Sequence, residues 1–135
     1  MLENNVTIIV GGGHAGLEAA FALSRMKLQS IIVSMDKNAV GRLSCNPAVG
    51  GLAKSHLVKE IDALGGIMGH AADACGIQFK TLNKTKGRAV WALRAQVDKK
   101  KYPLYIKSLL EKNKYISILE AEAVDLIIKI TRLHP

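Results

Sequence analysis

The sequence predicts an α/β domain with a parallel sheet, entered through a βαβ unit. Three observations predict it: VTIIV at 6–10 is an unbroken, mostly β-branched apolar run, GGGHAG follows it directly, and SIIVS at 30–34 supplies a second short apolar run. Strand, glycine turn, helix and strand in about thirty residues form a right-handed crossover between parallel strands.

The elements follow in chain order. VTIIV reads as a buried strand, because continuous apolar runs suit strands covered on both faces. From about Ala15, the residues Leu17, Ala20, Phe21, Ala22 and Leu23 form a broad apolar stripe. Basic residues at Arg25 and Lys27 suit the negative end of that helix. SIIVS is the second buried strand. The middle of the chain is Gly-rich. There LAKSHLVKEIDA at 52–63 predicts a helix between two GG breaks, and a short helix is expected at about 70–75. IQFKTLN at 77–83 alternates like a strand. YPLYIKSLLEKN at 102–113 predicts a helix, with Pro103 tolerated in its first turn. ISILEAE at 116–122 predicts the third parallel strand, and AVDLIIKI at 123–130 predicts one more, opening an antiparallel excursion. No partner strand follows it before TRLHP, so an unpaired apolar edge is expected there.

Bulk properties bound the function. The 135 residues suffice for one domain spanning 1–135, and no apolar run approaches membrane-span length. The opening MLENNV lacks the basic and apolar regions of a signal peptide, so Cys45 and Cys75 are expected as free thiols in a reducing, cytoplasmic setting. The formal charge of +8 permits a polyanionic partner without requiring one. No CxxC pair or zinc-ligand cluster is present in the sequence.

The glycine turn carries the first functional reading. In Gly11-x-Gly13-x-x-Gly16, the first glycine permits the tight turn, the second lets the backbone approach a pyrophosphate, and the third lets helix and strand pack closely. With Gly12, His14 and Ala15 they form one candidate cofactor-binding loop, whose N–H groups point at phosphate. The plainer reading is a Gly-rich structural turn. His14 either presents its ring to the pyrophosphate or merely tolerates the turn. The ribose-binding position at the end of the second strand is Ser34, with Asp36 two residues late. The third strand comes about eighty residues after the second. That long insertion suits a Rossmann-like, glutathione-reductase-like FAD domain rather than a simple nicotinamide domain. After the third strand, Ala123 either lends its backbone to the adenine or is a small residue at a strand end.

Cys45 lies in SCNPAVGG, shortly before a predicted helix. A thiol beside a helix N-terminus and a flavin ring is a candidate nucleophile; the alternative is a small residue packed in a turn. Cys75 reads as structural. Lys54, His56 and Lys59 do not share a helix face. Lys84, Lys86, Arg88 and Arg94 form a basic band around Trp91, a pattern that holds single-stranded nucleic acid unless the indole is core. Lys99 to Lys101 read as a solvated run.

VGGGHAGLEAA, GRLSCNPAVGGLAKSHLVKEIDALGG, IQFKTLNKTKG and LRAQVDKKKY together resemble the MnmG (GidA) family, from residue 6 to about 125. The resemblance implies an FAD-dependent enzyme that modifies tRNA. It implies an MnmE-like GTPase partner and the addition of aminomethyl or carboxymethylaminomethyl groups to carbon five of wobble uridine. It also implies NADH, a methylene-folate carbon donor and a homodimer. Cys45 would then add to the uridine base and activate carbon five. The chain departs from the family at Arg88, where proline is usual, and at Pro103. The resemblance reaches only the amino-terminal portion of the family's length. The sheet is therefore expected to be incomplete at its C-terminus, and the isolated chain to be poorly folded and inactive. Two rival readings are a truncated, non-catalytic fragment and another FAD- or NAD-dependent oxidoreductase.

Overall fold

The computed structural model describes residues 6–128. The chain runs β1 (Thr7–Val10), α1 (His14–Arg25), β2 (Ser30–Ser34), β3 (Ala48–Gly50), α2 (Ser55–Ala63), α3 (Met68–Ala74), β4 (Gly76–Leu82), β5 (Ala92–Val97), α4 (Lys101–Glu111) and β6 (Ile116–Glu120). Short 3₁₀ turns lie at Lys37–Ala39, Lys84–Lys86 and Arg88–Val90.

Two three-stranded sheets result. One is parallel, in the order β1-β2-β6, with Thr7 opposite Ser30 and Ser30 opposite Ile116. The other is antiparallel, in the order β3-β5-β4, and belongs wholly to the Gly-rich excursion. The predicted crossover and the late third strand are therefore both present. The fold is a Rossmann-like α/β sheet with a β-rich insertion.

One core joins the two parts. Leu17, Ala20 and Phe21 of α1 meet Ile32 of β2, and Tyr102, Ile106 and Leu110 of α4 join them. Val49 of β3, Ala71 and Ala72 of α3, and Val97 of β5 extend the cluster into the excursion. Leu17, Ile32, Val97, Tyr102 and Ile106 are almost completely buried. Burial of each of the aliphatic side chains among them contributes roughly 1.5–3 kcal/mol.

Several expectations change. β1 is a strand but not a buried one: it lies at the sheet edge, and Ile8 and Val10 are 56% and 68% exposed. Continuous apolar sequence marks a strand meant for cover on both faces, and among the described residues α1 is the helix that packs on β1. α2 starts at Ser55 rather than near 52, because Ala53 has φ +54°, a left-handed turn that no helix continues through. β3 and β5 were not anticipated. ALRAQV holds one β-branched residue, yet it is the central strand of its sheet. The expected strand at 123–130 is absent over its described part: residues 121–128 have no regular structure, and Val124, Leu126, Ile127 and Ile128 are exposed. Its last two residues and TRLHP lie outside the described residues.

Candidate functional site

The glycine turn has the geometry its spacing demands. Gly11 has φ +104° and its N–H donates to the Val33 carbonyl at 2.8 Å, tying the turn to β2. A Cβ on Gly16 would overlap the Gly11 carbonyl oxygen and sit 3.2 Å from Ile9 Cγ2, so this glycine serves close packing of α1 on β1. Gly13 is the opposite case: a Cβ there would meet nothing within 4 Å. Gly13 is also the N-cap of α1, with extended backbone and no side-chain cap. Gly13 therefore leaves open space at the positive end of a twelve-residue helix, whose first N–H groups have no intrahelical partner.

The loop after β2 folds back on this turn. Gly41 N–H donates to the Gly12 carbonyl at 2.9 Å, and a Cβ on Gly12 would lie 2.6 Å from Val40 Cγ2. The chain continues from there through Leu43 to Cys45. Beside the turn opens a cavity of about 680 Å³. His14, Cys45, Asn46, Gly51, Lys54, Leu57, Met68 and Arg94 are among the residues on its walls. Two sequence-distant candidates, His14 and Cys45, thus share one cavity.

Cys45 is exposed and free; Cys75 is buried and free. β3 stands between Cys45 and α2, so the argument from a helix terminus does not carry over to this thiol, whereas its place on the cavity wall supports access. Burial pushes the Cys75 thiol up, and Asp98 adds to that push while Lys101 opposes it. Lys54 reaches the large cavity, Lys59 lines a second cavity of about 230 Å³, and His56 lines neither.

His14 is half-buried. Its ring lies 5.7 Å from that of Tyr102 between centroids, and its Nε2 is buried without a protein partner. Burial lowers its pKa, opposed by the Glu18 carboxylate. Tyr102 hydroxyl is likewise buried and unpartnered, and burial holds it protonated.

Ser34 ends β2 as expected, but its hydroxyl donates to the Asp36 carbonyl at 3.0 Å. The Asp36 carboxylate accepts from Asn38 N–H at 2.8 Å and caps the 3₁₀ turn. Ala121 N–H donates to the Ser34 carbonyl at 3.0 Å, which carries the chain past this strand end; Ala123 follows, exposed. Ser34 at the end of β2 and Ala123 beyond the end of β6 therefore lie at the C-terminal ends of neighbouring parallel strands, where ligands of open α/β sheets bind.

Glu18 escaped the sequence reading. Its carboxylate accepts from Ile67 N–H at 3.0 Å and Met68 N–H at 2.8 Å, capping α3 from across the fold. The signal is faint: a lone acidic residue in an otherwise apolar stretch of α1, GLEAA. Trp91, weighed as core, is 46% exposed. Among the described residues no group of three or more His, Cys, Asp or Glu is placed to hold a metal ion. No helix there is long and apolar enough to cross a membrane.

Comparison with known proteins fits this geometry. A family model described as glucose inhibited division protein A matches residues 6–134. The chain belongs to the glucose inhibited division protein A family. It is 49% identical over 122 residues to the tRNA uridine 5-carboxymethylaminomethyl modification enzyme MnmG of Thermodesulfovibrio yellowstonii, covering 90% of this chain and 20% of that protein. It is 50% identical to the MnmG of Aquifex aeolicus over the same shares. This GidA-family chain thus spans about a fifth of the length of the curated relatives it matches. The crystal structure of Aquifex aeolicus GidA superposes with a TM-score of 0.86 at 50% identity, over 93% of this chain and 21% of that one. A probable FAD-dependent monooxygenase, pqsL of Pseudomonas aeruginosa, shares the fold at a TM-score of 0.54 and 12% identity, over 85% of this chain and 32% of that one.

Proposed function

We propose that this chain is the FAD-binding part of an enzyme that modifies carbon five of the tRNA wobble uridine. The added group is carboxymethylaminomethyl or aminomethyl, and the reaction runs in the cytoplasm with an MnmE-like GTPase. NADH, a methylene-folate donor and a homodimer belong to the same reading. The observation that carries it is the open, uncapped N-terminus of α1 at Gly13, whose next residue, His14, lines the same cavity as Cys45.

The residues fit the cofactor. Gly12, Gly13, His14, Ala15 and Gly16 would hold the pyrophosphate through backbone N–H groups, with Gly11, its own N–H bonded to Val33, setting the turn, since a side chain at Gly13 would fill the space the phosphates need. Ser34 would meet the ribose after exchanging its bond to Asp36, and Ala123 would offer backbone to the adenine. Bound FAD supplies two-electron redox chemistry. The chain's own contribution is Cys45: its sulfur, as thiolate, adds across the double bond between carbons five and six of the uracil ring, and the displaced electron pair makes carbon five nucleophilic. After carbon five bonds the new group, its proton is lost to a base and the re-forming double bond expels the thiolate.

A flavin titration tests this reading. The wild type is expected to bind FAD, and Gly13→Val to lose about tenfold or more in affinity, about 1.4 kcal/mol, while its thermal midpoint holds. Gly16→Val should instead unfold, because its Cβ meets backbone. In the complete enzyme, Cys45→Ala should retain flavin and lose modification. A Gly13→Val chain with wild-type flavin affinity overturns the reading.

A further inference from the structure

We propose that the β4–β5 hairpin is a docking surface for single-stranded RNA, with Trp91 as its stacking platform. The proposal rests on the reading of the chain as part of a tRNA-modifying enzyme, and it adds where the RNA lies. The hairpin belongs to a stretch with no carboxylate between Asp73 and Asp98, which carries Lys80, Lys84, Lys86, Arg88 and Arg94. All five are exposed, and among the described residues none of them is in a salt bridge. Lys80 and Arg94 even face each other across the strand pair. Like charges directly opposite destabilise a sheet unless an anion sits over them.

Charge alone would serve any polyanion; the aromatic narrows the class. Trp91 is 46% exposed although tryptophan is usually well buried. It is not loose. Its indole N–H donates to the Lys84 carbonyl at 3.3 Å, and the Arg88 guanidinium carbon lies 5.8 Å from the ring centroid. The two 3₁₀ turns at 84–86 and 88–90 hold these groups. A fixed indole beside a planar guanidinium and two lysines offers a π-face for a base and cations for its phosphates. A lipid surface would instead take a freely inserting apolar side chain, which the N–H bond to Lys84 disfavours. Placement adds a second reason. Leu82 and Arg94, on paired strands, also line the 680 Å³ cavity. A strand with one nucleotide in the cavity would run its neighbours onto the hairpin. Duplex RNA would not fit this use, because its bases are already stacked.

The test is binding of a short labelled oligouridylate, measured against salt, beside a duplex RNA of equal length. Wild-type protein should prefer the single strand. The triple variant Lys84→Ala, Lys86→Ala, Arg88→Ala should flatten the slope of log affinity against log salt by about 2. Trp91→Ala should weaken binding roughly 5- to 100-fold with the slope unchanged, and Trp91→Phe should recover most of the loss. Every variant should bind FAD as the wild type does and keep its circular dichroism. A protein that fails to bind flavin yet shows these RNA losses would sink the cofactor reading and leave the hairpin assignment standing. The assignment is overturned by an unchanged salt slope in the triple variant, by wild-type affinity in Trp91→Ala, or by equal binding of duplex. Binding to phosphatidylglycerol vesicles without binding to oligouridylate overturns it as well.

Discussion

His14 opens α1 on the wall of the cavity, and its ring packs against that of Tyr102. Burial lowers its pKa below the usual 6.5, and Glu18 only partly offsets this. The linkage then has a definite sign. As pH falls through about 6.5, the unfolded chain takes the proton first, so stability is complete above that value and is lost toward the depressed folded pKa. The denaturation midpoint of the wild type is therefore expected to drop as pH falls below about 6.5, and that of His14→Phe to drop less, because the phenyl ring keeps the packing and cannot titrate. Equal profiles would show that the imidazole protonates without cost. At this scale the glycines were legible, since Gly11 and Gly16 answer to backbone sterics that spacing alone encodes. The packing of His14 was not, because its partner Tyr102 is far along the chain.

Helix α1 works as a clamp. Glu18 caps α3, and Arg25, seven residues on and so on the same face, donates to the Gly65 carbonyl at 2.6 Å. Ser24 exchanges hydrogen bonds with Asn113 just beyond α4, at 2.9 and 2.7 Å. α3 has no side-chain cap of its own, so Glu18 replaces one. Glu18→Ala is expected to cost about 1–2 kcal/mol and to speed amide exchange at Ile67 and Met68 while β2 amides stay protected. Unchanged exchange at both amides would show that α3 needs no such cap. The elements were unevenly readable. β1, α1, β2, α4 and β6 announce themselves by continuous apolar runs or by an apolar stripe. β5 does not: its buried residues Ala92, Ala95 and Val97 do not alternate and are small, and Arg94 and Gln96 interrupt the β signal. β3 is three residues long and ends in glycine, too short for any period. The segment 121–128 misled in the other direction. Its apolar content is strand-like, but a strand exists only beside a partner, and sequence pattern does not report partners.

Across the whole molecule, two sheets of different character share one core. The parallel sheet carries the glycine turn, and the antiparallel sheet carries the cavity's far wall and the basic hairpin. Their connection times differ. β4 and β5 are neighbours in the chain and meet across a short loop, whereas Ser30 must find Ile116. Closing a longer loop costs more entropy before any contact repays it, and non-local pairings slow folding. The hairpin is thus expected to gain exchange protection before β6 in a pulse-labelling refolding experiment; simultaneous protection would contradict this. The order matters for the cofactor. Val33, which anchors Gly11, and Ser34 lie on the strand that waits for β6. A dinucleotide added during refolding would then arrive to find no finished floor, and it would act as a lock on the completed domain rather than as a template for building it.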